Sequence, residues 1–169
     1  MKMEFSKVIK TRRSIRGYDK ARQVTDEQLM RIIQAARLAP TAANKQAYKL
    51  VVIKNASKIL DFVKHKFLWQ APIVVAIFVD ETKSWERNFD LKNFAWVDGS
   101  IVFEHVILAA TAEGLATVWI ANEDPSLMEK VCKVPPNYKF LALTPIGYAT
   151  EEPRELSRKN VTELISYID

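Results

Sequence analysis

Glycine is scarce in this chain of 169 residues: Gly17, Gly99, Gly114 and Gly147 are all there is. No two of them lie close enough for a dinucleotide fingerprint or a Walker loop, so any phosphate must be held by side chains. One cysteine, Cys132, excludes an internal disulfide and agrees with a reducing compartment. The two histidines, His65 and His105, have no Cys, Asp or His at ligand spacing, and no metal site is expected. No Gly-x-Ser-x-Gly elbow is present, which leaves hydrolase chemistry of that kind unsupported. The longest unbroken apolar run, residues 71–79, is far too short to cross a bilayer as a helix. The charged first ten residues lack a signal core. Together these absences predict a soluble, cytoplasmic protein with no membrane partner.

Hydrophobic residues make up 49% and charged residues 27%, the balance of one ordinary globular domain, expected to span 1–169. The net charge of +5 is unevenly placed. Residues 1–24 carry eight Lys or Arg against Glu4 and Asp19, a balance of +6, so the remainder sums to −1. A nucleic-acid surface would spread its basic residues along a continuous face, whereas one local cluster suits a small anion.

Periodicity predicts the elements. Phe5, Val8 and Ile9 suggest a short first helix. Thr25 and Gln28 form a capping-box pattern ahead of Leu29, Ile32, Ile33 and Ala36, in a helix that stops before Pro40. Strands are expected at 48–54, 73–79, 117–120 and 139–148, the second buried on both faces. Residues 57–67 are expected to form a helix. Another, apolar nearly all round, is expected at 98–113, ended by Gly114. Asp124-Pro125 opens a further helix, and residues 160–168 form a short turn or arm that is apolar on one side.

Three stretches carry the chemistry: Arg12-Arg13-Ser14-Ile15-Arg16, Pro40-Thr41-Ala42-Ala43-Asn44-Lys45-Gln46, and Ser157-Arg158-Lys159. Guanidinium forks match phosphate oxygens, so Arg12, Ser14 and Arg158 are the phosphate candidates, with Lys159 beside them. Cys132 would need a base brought from elsewhere to act as a nucleophile. With the segment 142–148, these stretches resemble the FMN-dependent nitroreductase family in order and spacing, over nearly the whole chain.

That resemblance implies an α+β fold, a central mixed β-sheet wrapped by helices, working as an intertwined homodimer with two FMN sites. It implies that Arg12 and Ser14 bind the phosphate and ribityl chain, that Arg16 reaches the flavin ring, and that Arg13 contacts flavin as well. Pro40, Thr41, Ala42, Asn44 and Gln46 would come from the partner subunit. Many relatives continue Gln-Pro-Trp where this chain has Gln46-Ala47-Tyr48. The family's Gly-Leu-Gly-Thr appears as Gly114-Leu115-Ala116-Thr117. The following turn, which offers an N–H to flavin N5, falls on Ala121 and Asn122, where Asn122 replaces a common glycine and tolerates a left-handed backbone. Arg158 and Lys159 match a basic pair that closes on the phosphate.

The implied activity is two-electron reduction of nitroaromatics or quinones by NADH or NADPH in a ping-pong scheme, with no catalytic side chain because the flavin carries the chemistry. A specialised enzyme on one metabolite, dehalogenase-like or flavin-consuming, is the alternative, as is a flavin-binding sensor or reserve. In the aromatic middle of the chain, Trp85 and Phe89 are preferred over Trp96 as lid residues.

Overall fold

The computed structural model describes residues 3–168. Four helices, α1 (Phe5–Thr11), α2 (Asp26–Arg37), α3 (Ala95–Ala112) and α4 (Pro125–Val131), surround six strands. The strands are β1 (Tyr48–Ile53), β2 (Ile73–Asp80), β3 (Glu86–Arg87), β4 (Lys92–Asn93), β5 (Ala116–Thr117) and β6 (Tyr138–Gly147). The main sheet runs β1-β2-β6-β5 with every neighbouring pair antiparallel, and β3 and β4 form a separate hairpin. The parallel component of the expected mixed sheet enters through a single bridge, Ser14 to Thr117.

All eight residues of β2 are buried, and their alternation feeds two cores. Ile73, Val75 and Ile77 face α2 and α3, while Val74, Ala76 and Phe78 face Ile59, Leu68 and Met128. The helix over 26–37 has the capping box read from the sequence, with Thr25 accepting from Gln28 N and Gln28 returning the bond. Glycine lets α3 lie close on the sheet: a Cβ at Gly99 would stand 2.5 Å from Val79 Cγ1. Gly114, at φ +76°, ends that helix in the left-handed region. Among the described residues, α3 is the one helix long and apolar enough to cross a membrane, and half of it is buried inside the fold.

Two expectations change. The helix expected at 57–67 is replaced by 3-10 turns at Ala56–Ile59 and Lys66–Gln70. The backbone N–H groups that would continue an α-helix there are taken elsewhere. Lys64 and His65 donate to the carboxylate of Glu123. The strand expected at 117–120 pairs regularly only through Thr117. Val118 N donates to the Thr144 hydroxyl instead of a carbonyl, and pairing resumes where Ile120 bridges Leu143.

Candidate functional site

The Arg-rich turn is fastened by its backbone to the sheet edge. Ile15 N donates to Thr117 O at 2.9 Å, Asp19 N to Tyr148 O at 2.9 Å, and Thr150 N to Gly17 O at 3.1 Å. Below it, Ile15 and Tyr18 are buried with Ala71 and Ala116, and the Tyr18 hydroxyl donates to Ile15 O at 2.6 Å. Burial raises the Tyr18 phenol, Glu151 raises it further, and Arg16 opposes both. Above, Arg12 is half-buried and Arg16 exposed. The Ser14 hydroxyl has no intramolecular partner among the described residues. Arg13 is already committed: its Nη1 donates to Lys10 O and Arg12 O, both at 2.8 Å, closing the end of α1. A cavity of about 200 Å³ opens beside Arg12, Arg13, Leu115 and Glu151. Glu104 on α3 faces the cluster; burial raises its carboxyl, and Arg12 partly offsets this.

The Ala121–Asn122 turn lies on the same strand path. From Thr117, which holds the Arg-rich turn, four residues of extended chain lead to Ala121, about 13 Å at roughly 3.3 Å per residue. Ala121 and Asn122 are exposed between buried Ile120 and buried Glu123. Among the described residues, neither of their backbone N–H groups has an intramolecular partner. Asn122 does not use the left-handed region that asparagine tolerates, so replacing a glycine there carries no backbone strain.

The 40–46 loop stands elsewhere. Ala43, Asn44 and Gln46 have φ of 49°, 53° and 50°, three left-handed residues within four positions and none of them glycine. Each costs on the order of 1 kcal/mol or more, a kind of strain that concentrates at ligand sites. Hydrogen bonds hold the conformation: Ala42 N donates to Asp98 Oδ1 at 3.0 Å, Gln46 N to Thr41 Oγ1 at 3.0 Å, and Gln46 Nε2 to Asn44 O at 3.2 Å. Asp98 is buried in the first turn of α3, and its Oδ2 has no partner among the described residues. Pro40, Asn44 and Gln46 are exposed, while Thr41 and Ala42 are half-buried.

Thus the chain brings the Arg-rich turn and the 121–122 turn together and leaves the loop apart. From Asp98 to Gly114 the helix path rises about 24 Å at roughly 1.5 Å per residue. The loop is anchored at the first turn of α3, whereas the Arg-rich turn is fastened to Thr117, past the helix's last turn, with Arg12 reaching back toward Glu104. Nor do Arg158 and Lys159 close on Arg12 in this chain. Residues 150–168 are exposed throughout, and Arg158 Nη1 donates to the adjacent Ser157 O. Leu156, Val161, Leu164, Ile165, Tyr167 and Ile168 are bared along that arm.

Among aromatic residues, Trp85 packs on Phe94 with centroids 5.0 Å apart, and Trp96 Nε1 donates to Glu81 Oε1. Phe89, at the tip of the β3–β4 hairpin, is 97% exposed. Burial pushes the Cys132 thiol up to about 11, so at neutral pH it is no nucleophile.

Two groups went unread in the sequence. Asp98 could have been noticed as the one acid in the opening turns of an otherwise apolar helix. Glu123 carried no signal, because its partner His65 is remote in sequence. As a donor set the site fits a flavin monophosphate. Among the described residues, the Arg12 guanidinium and the unbonded Ser14 hydroxyl suit a terminal phosphate, and the unpartnered N–H groups of Ala121 and Asn122 one strand-length away suit a ring edge.

A model of the Nitroreductase family matches residues 9–65 and 54–148. A provisionally named NADH dehydrogenase/NAD(P)H nitroreductase of Archaeoglobus fulgidus is 30% identical over 158 residues, covering 88% of this chain and 87% of its own. The crystal structure of a nitroreductase family protein from Clostridium difficile superposes with a TM-score of 0.88 at 32% identity, covering 98% of both chains. A provisionally named nitroreductase from Exiguobacterium sibiricum, solved in complex with FMN, has the same fold, with a TM-score of 0.88 at 20% identity over 98% of each chain. With the family model matched over most of its length and this fold shared at 32% identity, the chain belongs to the nitroreductase family of oxidoreductases.

Proposed function

We propose that this protein is an FMN-dependent oxidoreductase that uses NADH or NADPH to reduce small electron-poor acceptors, such as nitroaromatics or quinones. The observation that carries this reading is the placement of the Arg-rich turn and the free N–H groups of Ala121 and Asn122 along one extended segment. Arg12 and Ser14 hold the phosphate, and Arg16 faces the carbonyl edge of the ring. Ala121 and Asn122 direct their N–H groups at N5. When bound, FMN supplies the two-electron chemistry, so the chain needs no nucleophile or acid–base pair of its own.

The functional unit is a homodimer with two sites, because the 40–46 loop is anchored at the first turn of α3 whereas the Arg-rich turn is fastened to Thr117, past the helix's last turn. An isologous pairing that sets two α3 helices antiparallel brings the loop of one copy to the turn of the other. The bared C-terminal arm covers its apolar side chains on the partner and carries Arg158 and Lys159 to the phosphate. Donor and acceptor use one open flavin face in turn, which is a ping-pong scheme.

The visible spectrum of the purified protein tests the reading, since FMN absorbs where polypeptide does not. A protein that neither retains nor takes up FMN overturns it. Parallel initial-rate lines, and bleaching by NAD(P)H alone, are the expected kinetics.

A further inference from the structure

Glu123 is an acid with no role in the proposed phosphate or ring contacts, yet its side chain is fully buried. A buried carboxylate must be fully hydrogen-bonded to be tolerated. Its Oε2 accepts from Lys64 N at 2.5 Å. Oε1 accepts from His65 N at 3.2 Å and lies 2.6 Å from His65 Nδ1. A carboxylate only accepts, so Nδ1 carries the proton in this pair whether the imidazole is neutral or charged. The other ring nitrogen is left to the partly exposed side of His65.

Two connections make this pair more than a local staple. On one side, Glu123 directly follows Asn122. The two-residue turn Ala121–Asn122 is therefore tied at both ends, by Glu123 and by Ile120, whose N–H and carbonyl both bond Leu143, at 3.0 and 2.8 Å. On the other side, Phe67 lies two residues beyond His65, against its ring with centroids 5.7 Å apart. Phe67 also packs on the cluster of Ile15 and Tyr18 beneath the Arg-rich turn. The 64–67 segment, having given up helical hydrogen bonds to reach Glu123, thus touches the undersides of both walls of the site.

The geometry points to the His65–Glu123 pair as a positioning brace that fixes the Ala121–Asn122 donors relative to the Arg-rich turn, and through them the redox balance of the bound flavin. This rests on the FMN reading above. Oxidised flavin accepts a hydrogen bond at N5, whereas after reduction N5 itself carries a proton. Donors held firmly at N5 therefore favour the oxidised form, and loosening them weakens oxidised FMN more than reduced FMN.

The test uses His65→Ala, which removes the Nδ1 contact while leaving both backbone bonds to Glu123. His65→Asn is its partner, because the Asn amide donates from nearly the same position. Thermal melting establishes that both variants fold. Dissociation constants for oxidised and reduced FMN are then compared by titration and spectroelectrochemistry. In His65→Ala the ratio of the oxidised to the reduced constant should rise by about threefold or more, the scale of one displaced hydrogen bond, and the midpoint potential should move upward. His65→Asn should restore both. A role confined to stability would lower the melting temperature and leave that ratio unchanged, which overturns the brace. Equal defects in the Ala and Asn variants, including loss of flavin from both, overturn it as well. Wild-type protein that binds no FMN is a separate result, and it refutes the functional reading itself.

Discussion

The backbone N–H of Ala42 donates to the buried Asp98 carboxylate at 3.0 Å, tying a strained surface loop to the first turn of the central helix. The bond ties the 40–46 loop to the first turn of α3, while the Arg-rich turn is fastened to Thr117. Asp98 Oδ1 is spent on this contact, while Oδ2 is buried with no partner among the described residues. Asp98→Ala should cost about 1 kcal/mol of stability, the scale of one part-buried hydrogen bond lost from the loop. FMN affinity should fall with it, because the left-handed residues Ala43, Asn44 and Gln46 lose their anchor. Urea unfolding and flavin titration measure the two effects. Unchanged FMN affinity in a folded variant would separate the loop from the flavin site.

Arg12→Ala should weaken FMN binding by about 1.5–3 kcal/mol, the scale of a charge-assisted hydrogen bond. It should act on both redox forms alike, because its target is the phosphate. Fluorescence titration with FMN and with riboflavin checks this, and the variant should lose most of the preference for FMN. Equal affinity in wild type and variant would remove Arg12 from the site.

Arg16 is exposed at the far end of the turn, and the proposed function sets it at the carbonyl edge of the ring. A cation there stabilises the negative charge gathered on reduction. Arg16→Leu should lower the midpoint potential by tens of millivolts, roughly 30 mV being about 1.4 kcal/mol in a two-electron couple. Oxidised FMN should bind only modestly less well. A potential equal to that of wild type would make Arg16 another anchor.

Much of this was legible beforehand because local rules and tertiary context agree. The capping box at Thr25, the stop at Gly114 and the all-buried β2 each follow from neighbouring residues, and each is present. The segment 57–67 was misread because its backbone donors answer to Glu123, a partner no local pattern reveals. In the site, the residue types of the Arg-rich turn were readable, but Arg13's commitment to the end of α1 was not, since it depends on how the chain leaves that helix. Asn122's ordinary backbone was equally out of reach, because its conformation is set by the anchors at Ile120 and Glu123.

The Cys132 thiol predicts an alkaline sign. Burial raises it from the ordinary value of 9.0 to about 11, so the folded state keeps its proton after the unfolded state has lost it. Stability from this group is complete below pH 9 and falls as pH rises toward 11. Melting temperatures of wild type and Cys132→Ser at pH 8 and pH 10.5 check this. The wild type should lose more over that interval, and parallel losses would show that the thiol does not contribute.

The bared arm gives the dimer its own test. Leu164→Asp with Ile165→Asp should weaken self-association by about tenfold or more, since burying one such side chain contributes about 1.5–3 kcal/mol. Light scattering across a dilution series measures it. A wild-type monomer that binds FMN tightly would refute the assembly.

Complementation between two defective chains tests the central claim most directly, that each site takes its Arg-rich turn from one copy and its 40–46 loop from the other. One chain carries Arg12→Ala with Arg16→Leu; the other carries Asn44→Ala with Gln46→Ala. Alone, each should bind little FMN. Co-expressed and mixed at random, half the dimers pair an intact turn with an intact loop, restoring on the order of one FMN for every four chains under two-fold symmetry. If the mixture binds no more flavin than the separate variants, turn and loop act within one chain and the account is contradicted.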